Sequence, residues 1–155
     1  MKWELPHKIK IYEALGTIGD KRIVVQGDAA RVRSSSGGKS YDVVFDRSSN
    51  AISANDNGSY WKGYLGYPSI AFLMENGLIK YNSIYAEALK GIAWKDVNTK
   101  FKNDFEMTTD FIHNLLKERK VDLKNFLTEV ESIYKQIIEL KMEKLGQTSK
   151  PPEGY

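Results

Sequence analysis

Few residues in this chain are of a type and spacing that could do chemistry. The densest group is Asn55–Lys62 (NDNGSYWK), where Asn55, Asp56 and Asn57 sit beside Tyr60, Trp61 and Lys62. Converging polar groups of this kind suit a small ligand. An aromatic pair beside a cation suits stacking and charge recognition. Arg31 and Arg33, with Lys39 and Arg47, extend the positive charge toward this stretch, although Asp42 and Asp46 lie on the same segment and cancel part of the field.

Other candidates resolve into ordinary structure. Gly38-Lys39-Ser40 ends like a phosphate-binding loop, but the earlier glycine it requires is Arg33 and a strand follows in place of a helix. Ser53–Gly58 has the sixth-position glycine of a calcium loop, yet its twelfth position is Tyr64, where a bidentate Glu is needed. An Asx turn accounts for it. His7 and His113 stand without a recognisable Ser, Asp or Glu spacing. Asp104, Glu106 and Asp110 are the carboxylates that a helix start favours. With no cysteine, thiolate catalysis, disulfides and Cys-based metal sites are excluded. A net charge of +3 is too small to imply nucleic acid by itself. The longest apolar run, Ile70–Met74, is far short of the roughly 20 residues of a membrane span. The lead MKWELPHKIK lacks a signal-type apolar core, so the expected compartment is cytoplasmic, with no membrane association.

The elements that must position these residues follow from periodicity. Ile11, Ala14, Leu15 and Ile18 define a helix over 8–18, after an irregular lead and with Gly19 as its left-handed cap. Alternation then predicts strands at 22–26, 29–36, 39–46 and 50–54. A two-residue loop at Gly37-Gly38 sets Val32 opposite Val43 and Arg33 opposite Asp42. A loop at Ser48-Ser49 sets Phe45 opposite Ile52 and Val43 opposite Ala54. Pro68 opens a helix closed by Gly77. Helices follow at 83–90, 94–103 and 105–120. A last one, capped by Asp122, runs to about 145–146, its apolar stripe comprising Leu123, Phe126, Leu127, Val130, Ile133, Tyr134, Ile137 and Ile138. The fold class is α+β: an N-terminal helix, a three- to four-stranded antiparallel meander and a mostly helical C-terminal half. It is read as one domain over 1–146 (an α+β portion at 8–80, a helical portion at 81–146) with a disordered tail at 147–155.

Within this frame, VRSSS (32–36), SYDVVF (40–45), ISAND (52–56) and YPSIAFLM (67–74) give a pattern over residues 30–77 that resembles a SWIM-type zinc finger, a ββα module. The family's C-x-C and C-x-H ligand positions fall on Ser53, Asn55, Tyr67 and Ser69, none of them a zinc ligand of the required type. The resemblance therefore implies a degenerate, zinc-free module needing no metal or cofactor, in which Trp61, Tyr64 and Tyr67 supply by packing what an ion supplies elsewhere. It also implies protein or nucleic-acid contacts. The leading expectation is a non-enzymatic interaction module with its contact surface at Asn55–Lys62. The alternative is a small-ligand-binding protein or enzyme with a polar site at Asn55–Asn57, and a third reading is a homo-oligomer formed through the helix over 122–145.

Overall fold

A computed structural model describes residues 1–146 and 149–153. The tail expected at 147–155 therefore lies partly outside the described residues. The chain is α+β. Helix α1 (Ile9–Gly19) leads into strands β1 (Ile23–Gln26), β2 (Ala29–Arg33), β3 (Ser40–Asp46) and β4 (Ala51–Ala54). A single π-helical turn at Gly58–Lys62 precedes α2 (Tyr67–Glu75), α3 (Ser83–Ala88), α4 (Trp94–Lys100), α5 (Phe105–Glu118), α6 (Leu123–Leu140) and a two-residue strand β5 (Glu143–Lys144). The sheet order is β1-β2-β3-β4-β5.

The meander obeys the period-two rule. Burial alternates along β2 and β3, with Val32, Tyr41, Val43 and Phe45 turned inward. Phe45 meets Phe72 of α2 at 5.9 Å between ring centroids. The β3–β4 register is the expected one, Phe45 opposite Ile52 and Val43 opposite Ala54. The β2–β3 register differs by two residues: Val32 faces Tyr41, Ala30 faces Val43 and Arg31, not Arg33, faces Asp42. The cause lies in the connection, which spans Ser34–Lys39. Ser34 Oγ accepts from the Lys39 amide at 3.2 Å, and the Ser34 amide donates to the Lys39 carbonyl at 2.9 Å. A shift of two keeps every side chain on its face, so the core survives while the partners change.

Three further departures matter. Helix α6 stops at Leu140, where Lys141 takes a left-handed backbone, and β5 then pairs parallel to β4. The lead is not irregular: Lys2 bridges to Glu143, and Glu4 bridges to Tyr64 through hydrogen bonds with Gly63 and Leu65. Gly19 is not a left-handed cap. A Cβ there would lie 2.1 Å from the Ala86 carbonyl oxygen, so glycine serves the close crossing of α1 and α3. Gly19→Ala is expected to cost about 1–3 kcal/mol, because a backbone atom of α3 would have to move; thermal unfolding of the variant measures it.

Helix α1 is buried almost all round, with Ile9, Ile11, Ala14 and Leu15 at 0% exposure. It packs against α2, α3, α5 and α6, which makes it the central helix. The helical half closes over it: Tyr12 stacks edge-on to Phe126 of α6 at 4.9 Å. Asp104 and Asp122 cap α5 and α6 by accepting from the Met107 and Asn125 amides, while Asn82, not Ser83, caps α3. Along α6, Phe126, Val130, Ile133 and Ile137 face the core, and Leu127 and Ile138 remain exposed. Among the described residues no helix is long and apolar enough to cross a membrane.

Candidate functional site

Lys10 and Glu13 are the charged residues of α1, and the core position of that helix forces both of them inward. Their ion pair is 3.3 Å long, with the side chains only 11% and 4% exposed. Neither is left to satisfy itself alone. Asn98 of α4 donates Nδ2 to Glu13 Oε1 at 2.9 Å, and the Lys10 ammonium lies 4.7 Å from the Phe105 ring centroid and 5.9 Å from that of Tyr64. Burial pushes the Lys10 pKa down, but Glu13, Tyr64 and Asp56 outweigh it, so the net direction is up and the ammonium stays charged.

These groups form one wall of a cavity of about 800 Å³. The sheet supplies Tyr41, α2 supplies Tyr67 and the two rings meet edge-on at 6.4 Å. Burial raises the pKa of both hydroxyls, and of Tyr64, so all three remain proton donors at neutral pH. The β2–β3 connection contributes Ser34, Ser35 and Ser36, with Ser35 Oγ accepting from the Lys95 amide at 3.1 Å and so tying this loop to α4. Arg22 also lines the cavity. Its guanidinium is engaged by Asp20 at 3.2 Å and the Arg33 carbonyl at 2.6 Å, which makes it a strut between α1 and the sheet.

The opposite wall is the loop after β4. Asp56 is 5% exposed, and its Oδ2 accepts from the Ser59 amide at 3.2 Å while Oδ1 has no partner. The expected side-chain turn is therefore present, but inside the protein. Gly66 makes room for it: a Cβ there would lie 2.2 Å from Asp56 Oδ2. Burial raises the Asp56 pKa above its ordinary 3.8, against the pull of the Ser59 hydrogen bonds. For an acid, a folded pKa above the unfolded one means that the native state holds its proton longer, so stability falls as pH rises from 3.8 through the folded value. Asp56→Asn is expected to remove that slope. Its stability relative to wild type should increase as pH rises above 3.8, and urea denaturation across pH checks it.

The residues picked out from sequence divide between two surfaces. Asp56, Asn57, Trp61 and Lys62 line the cavity. Asn55 turns away, its Oδ1 accepting from the Asp42 amide at 2.8 Å. Arg31 and Arg33 are exposed on the outer sheet face, where Arg31 pairs with Asp42 at 3.3 Å. Tyr60 supports Trp61 edge-on at 4.6 Å. The expectation that Trp61 packs inside is corrected: it is 64% exposed, because the π turn projects it outward before Gly63, at φ 77°, reverses the chain. Of the resemblance-derived positions, Ser53 lies on β4, Asn55 just beyond it, and Tyr67 and Ser69 on α2. Among the described residues no group of three or more His, Cys, Asp and Glu side chains is disposed to hold a metal. The histidines do have partners: His7 Nε2 meets Glu106 at 2.9 Å, and His113 Nε2 meets the Tyr12 hydroxyl at 2.7 Å.

Residues 3–143 match one family model throughout the fold and every wall of the cavity. The chain belongs to the family described as "Uncharacterised conserved protein UCP014422". No curated protein and no solved structure matches it. In this UCP014422 member, sequence reasoning missed Lys10, Glu13, Tyr41, Asn98 and Phe105 of the cavity. One signal was available: IKIYEALGTIG carries only Lys10 and Glu13 as charges, one helical turn apart on an otherwise apolar helix.

Proposed function

We propose that this protein binds a small organic molecule in the cavity enclosed by α1, the β2–β3 connection, the loop over 56–64 and α4. One observation carries the reading: Lys10, Glu13, Arg22 and Asp56, all nearly buried, surround a single cavity of about 800 Å³. A ligand pocket of this size is ordinary, at roughly 300–1,000 Å³. Burying ionisable groups is costly, and such groups collect where binding or chemistry needs them. Apolar side chains in their place would make a more stable core. Tyr41, Tyr64 and Tyr67 add donors, and Trp94 and Phe105 add apolar wall, the mixture of flat surface and few polar anchors that a small ligand needs.

Trp3, Trp61 and Trp94 provide the test. Trp61 and Trp94 line the cavity, whereas the Trp3 indole donates to the Ile52 carbonyl at 2.9 Å, away from it. In a fragment screen followed by indole N–H resonances, binders are expected to shift Trp61 and Trp94 and to leave Trp3 in place. Binders that shift Trp3 alone, or a broad fragment set with no binder, would contradict the proposal.

A further inference from the structure

We propose, building on the pocket reading above, that the occupant is a neutral polyhydroxylated ring, a sugar or a cyclitol, laid against the Trp61 indole with its hydroxyls on Tyr41, Tyr67 and the Lys10–Glu13 pair. Two independent observations point this way. The first is a set of hydroxyl groups left open. Tyr41 is 7% exposed and Tyr67 is half-buried, yet among the described residues neither hydroxyl is hydrogen-bonded, and neither is sealed in the wall as Asp56 Oδ1 and Asn98 Oδ1 are. Both residues line the cavity. Holding a phenol away from bulk water without a protein partner costs stability, so these two oxygens are set for a polar group that enters the cavity. Ser34–Ser36, Asn57, Thr99 and Asn103 line the same space with further hydroxyls and amides. Such groups both donate and accept, as a sugar hydroxyl does.

The charges of the inner wall suit the same ligand. Lys10 and Glu13 face each other at 3.3 Å and Arg22 is held by Asp20 at 3.2 Å, so each is matched within the protein. An anion placed on Lys10 would also meet the Glu13 carboxylate, and a cation placed on Glu13 would meet the Lys10 ammonium. Adjacent ring hydroxyls meet neither objection, because one donates to the carboxylate while the next accepts from the ammonium. The second observation is Trp61. Its indole is 64% exposed at the cavity edge, and it is held there edge-on to Tyr60, on a π-helical turn, a geometry that recurs at functional sites. The face of an aromatic ring is negative, so it attracts the weakly positive C–H groups on one side of a sugar ring. Covering the indole in this way recovers apolar burial that its exposure forfeits.

The probes are the methyl glycosides of glucose, galactose and mannose, with myo-inositol, set against cyclohexanol, glucuronate and glucosamine. Each is titrated while the Trp61 and Trp94 indole resonances are followed, with Trp3 as internal reference. At least one neutral polyol is expected to bind about 10-fold more tightly than cyclohexanol, because a site built around hydroxyl partners rejects the ring that lacks them. It should exceed glucuronate and glucosamine by about the same factor. Its affinity should change less than about 2-fold between about 0.02 M and about 0.2 M salt, since no net charge is brought in. Tyr41→Phe and Tyr67→Phe should each weaken the polyol about 10-fold and leave denaturant unfolding unchanged, because the hydroxyl removed has no protein partner. Trp61→Ala, at an exposed position, should weaken it several-fold with the fold intact. Cyclohexanol, glucuronate or glucosamine binding at these indoles as tightly as the polyols would overturn the sugar assignment and leave the cavity reading standing. Unchanged polyol affinity in both tyrosine variants would overturn it too. So would polyols that shift neither Trp61 nor Trp94, and the fragment screen, run with other compounds, then decides separately whether the cavity reading stands.

Discussion

Replacing Glu13 by alanine is expected to destabilise the protein by about 3–5 kcal/mol, the cost of leaving a buried charge without its partner. Lys10 has no other carboxylate within ion-pair distance among the described residues, and its own side chain is 11% exposed. Asn98 would lose the acceptor for its Nδ2 at the same time. The penalty should depend on pH in a defined direction. Because the folded Lys10 pKa lies above its ordinary 10.5, the stability that its charge contributes is present below that pH and is lost as pH rises through the folded value. The Glu13→Ala penalty should therefore shrink above about pH 10.5. Glu13→Gln, which keeps the Asn98 hydrogen bond, should lose less. The double variant Lys10→Met, Glu13→Leu should recover most of the loss, because an apolar pair of similar volume removes both desolvation costs. Denaturant unfolding of the four proteins at neutral and alkaline pH measures every part of this. A Glu13→Ala loss below about 1 kcal/mol would mean that the pair behaves as a solvated surface pair.

Phe126→Ala should cost about 3–5 kcal/mol for a different reason, a cavity in the core. Phe126 is 0% exposed and touches the rings of Tyr12 and Tyr85, so it fastens α6 to the far side of α1. Its effect should be independent of pH near Lys10 titration, since no charge is stranded. Because Phe126 does not line the cavity, a folded population of the variant should keep the wild-type response of the Trp61 and Trp94 resonances to ligand. Denaturation and the same indole spectra report the two halves of the expectation.

How much of this was legible beforehand depended on whether the deciding force was local. The inward faces of β2, β3 and β4 follow from alternation alone, and Asp104, Asp122 and Pro68 mark helix starts by local backbone chemistry. The β2–β3 partners were misassigned because Ser34 closes a six-residue connection with its own side chain, which Gly37-Gly38 does not reveal. Strand β5 has two residues and no alternation of its own, and its pairing to β4 is decided by contacts of the first and last segments of the fold. Gly19 looked like a helix cap, since a glycine required for α1–α3 proximity and one required for a left-handed turn read alike in sequence.

The site was visible only along one of its walls. Asp56, Asn57, Trp61 and Lys62 stood out because they are consecutive or nearly so, yet Asn55 in the same run belongs to the sheet exterior, since successive residues at a strand end point to opposite sides. The facing wall is assembled from α1, α4 and β3, residues far apart in the chain. Lys10 and Glu13 are not singled out by the apolar periodicity of their helix, and it is the burial of α1 on nearly all sides that makes their position informative.

The most direct test of the central claim is a crystal structure of the protein soaked with the fragment that shifts the Trp61 and Trp94 indoles most. The account predicts fragment density between Trp61 and the Lys10–Glu13 pair, within contact distance of Tyr41 and Tyr67. Density confined to the outer sheet face around Arg31, or side chains collapsed to fill the space between α1 and the 56–64 loop, would contradict it.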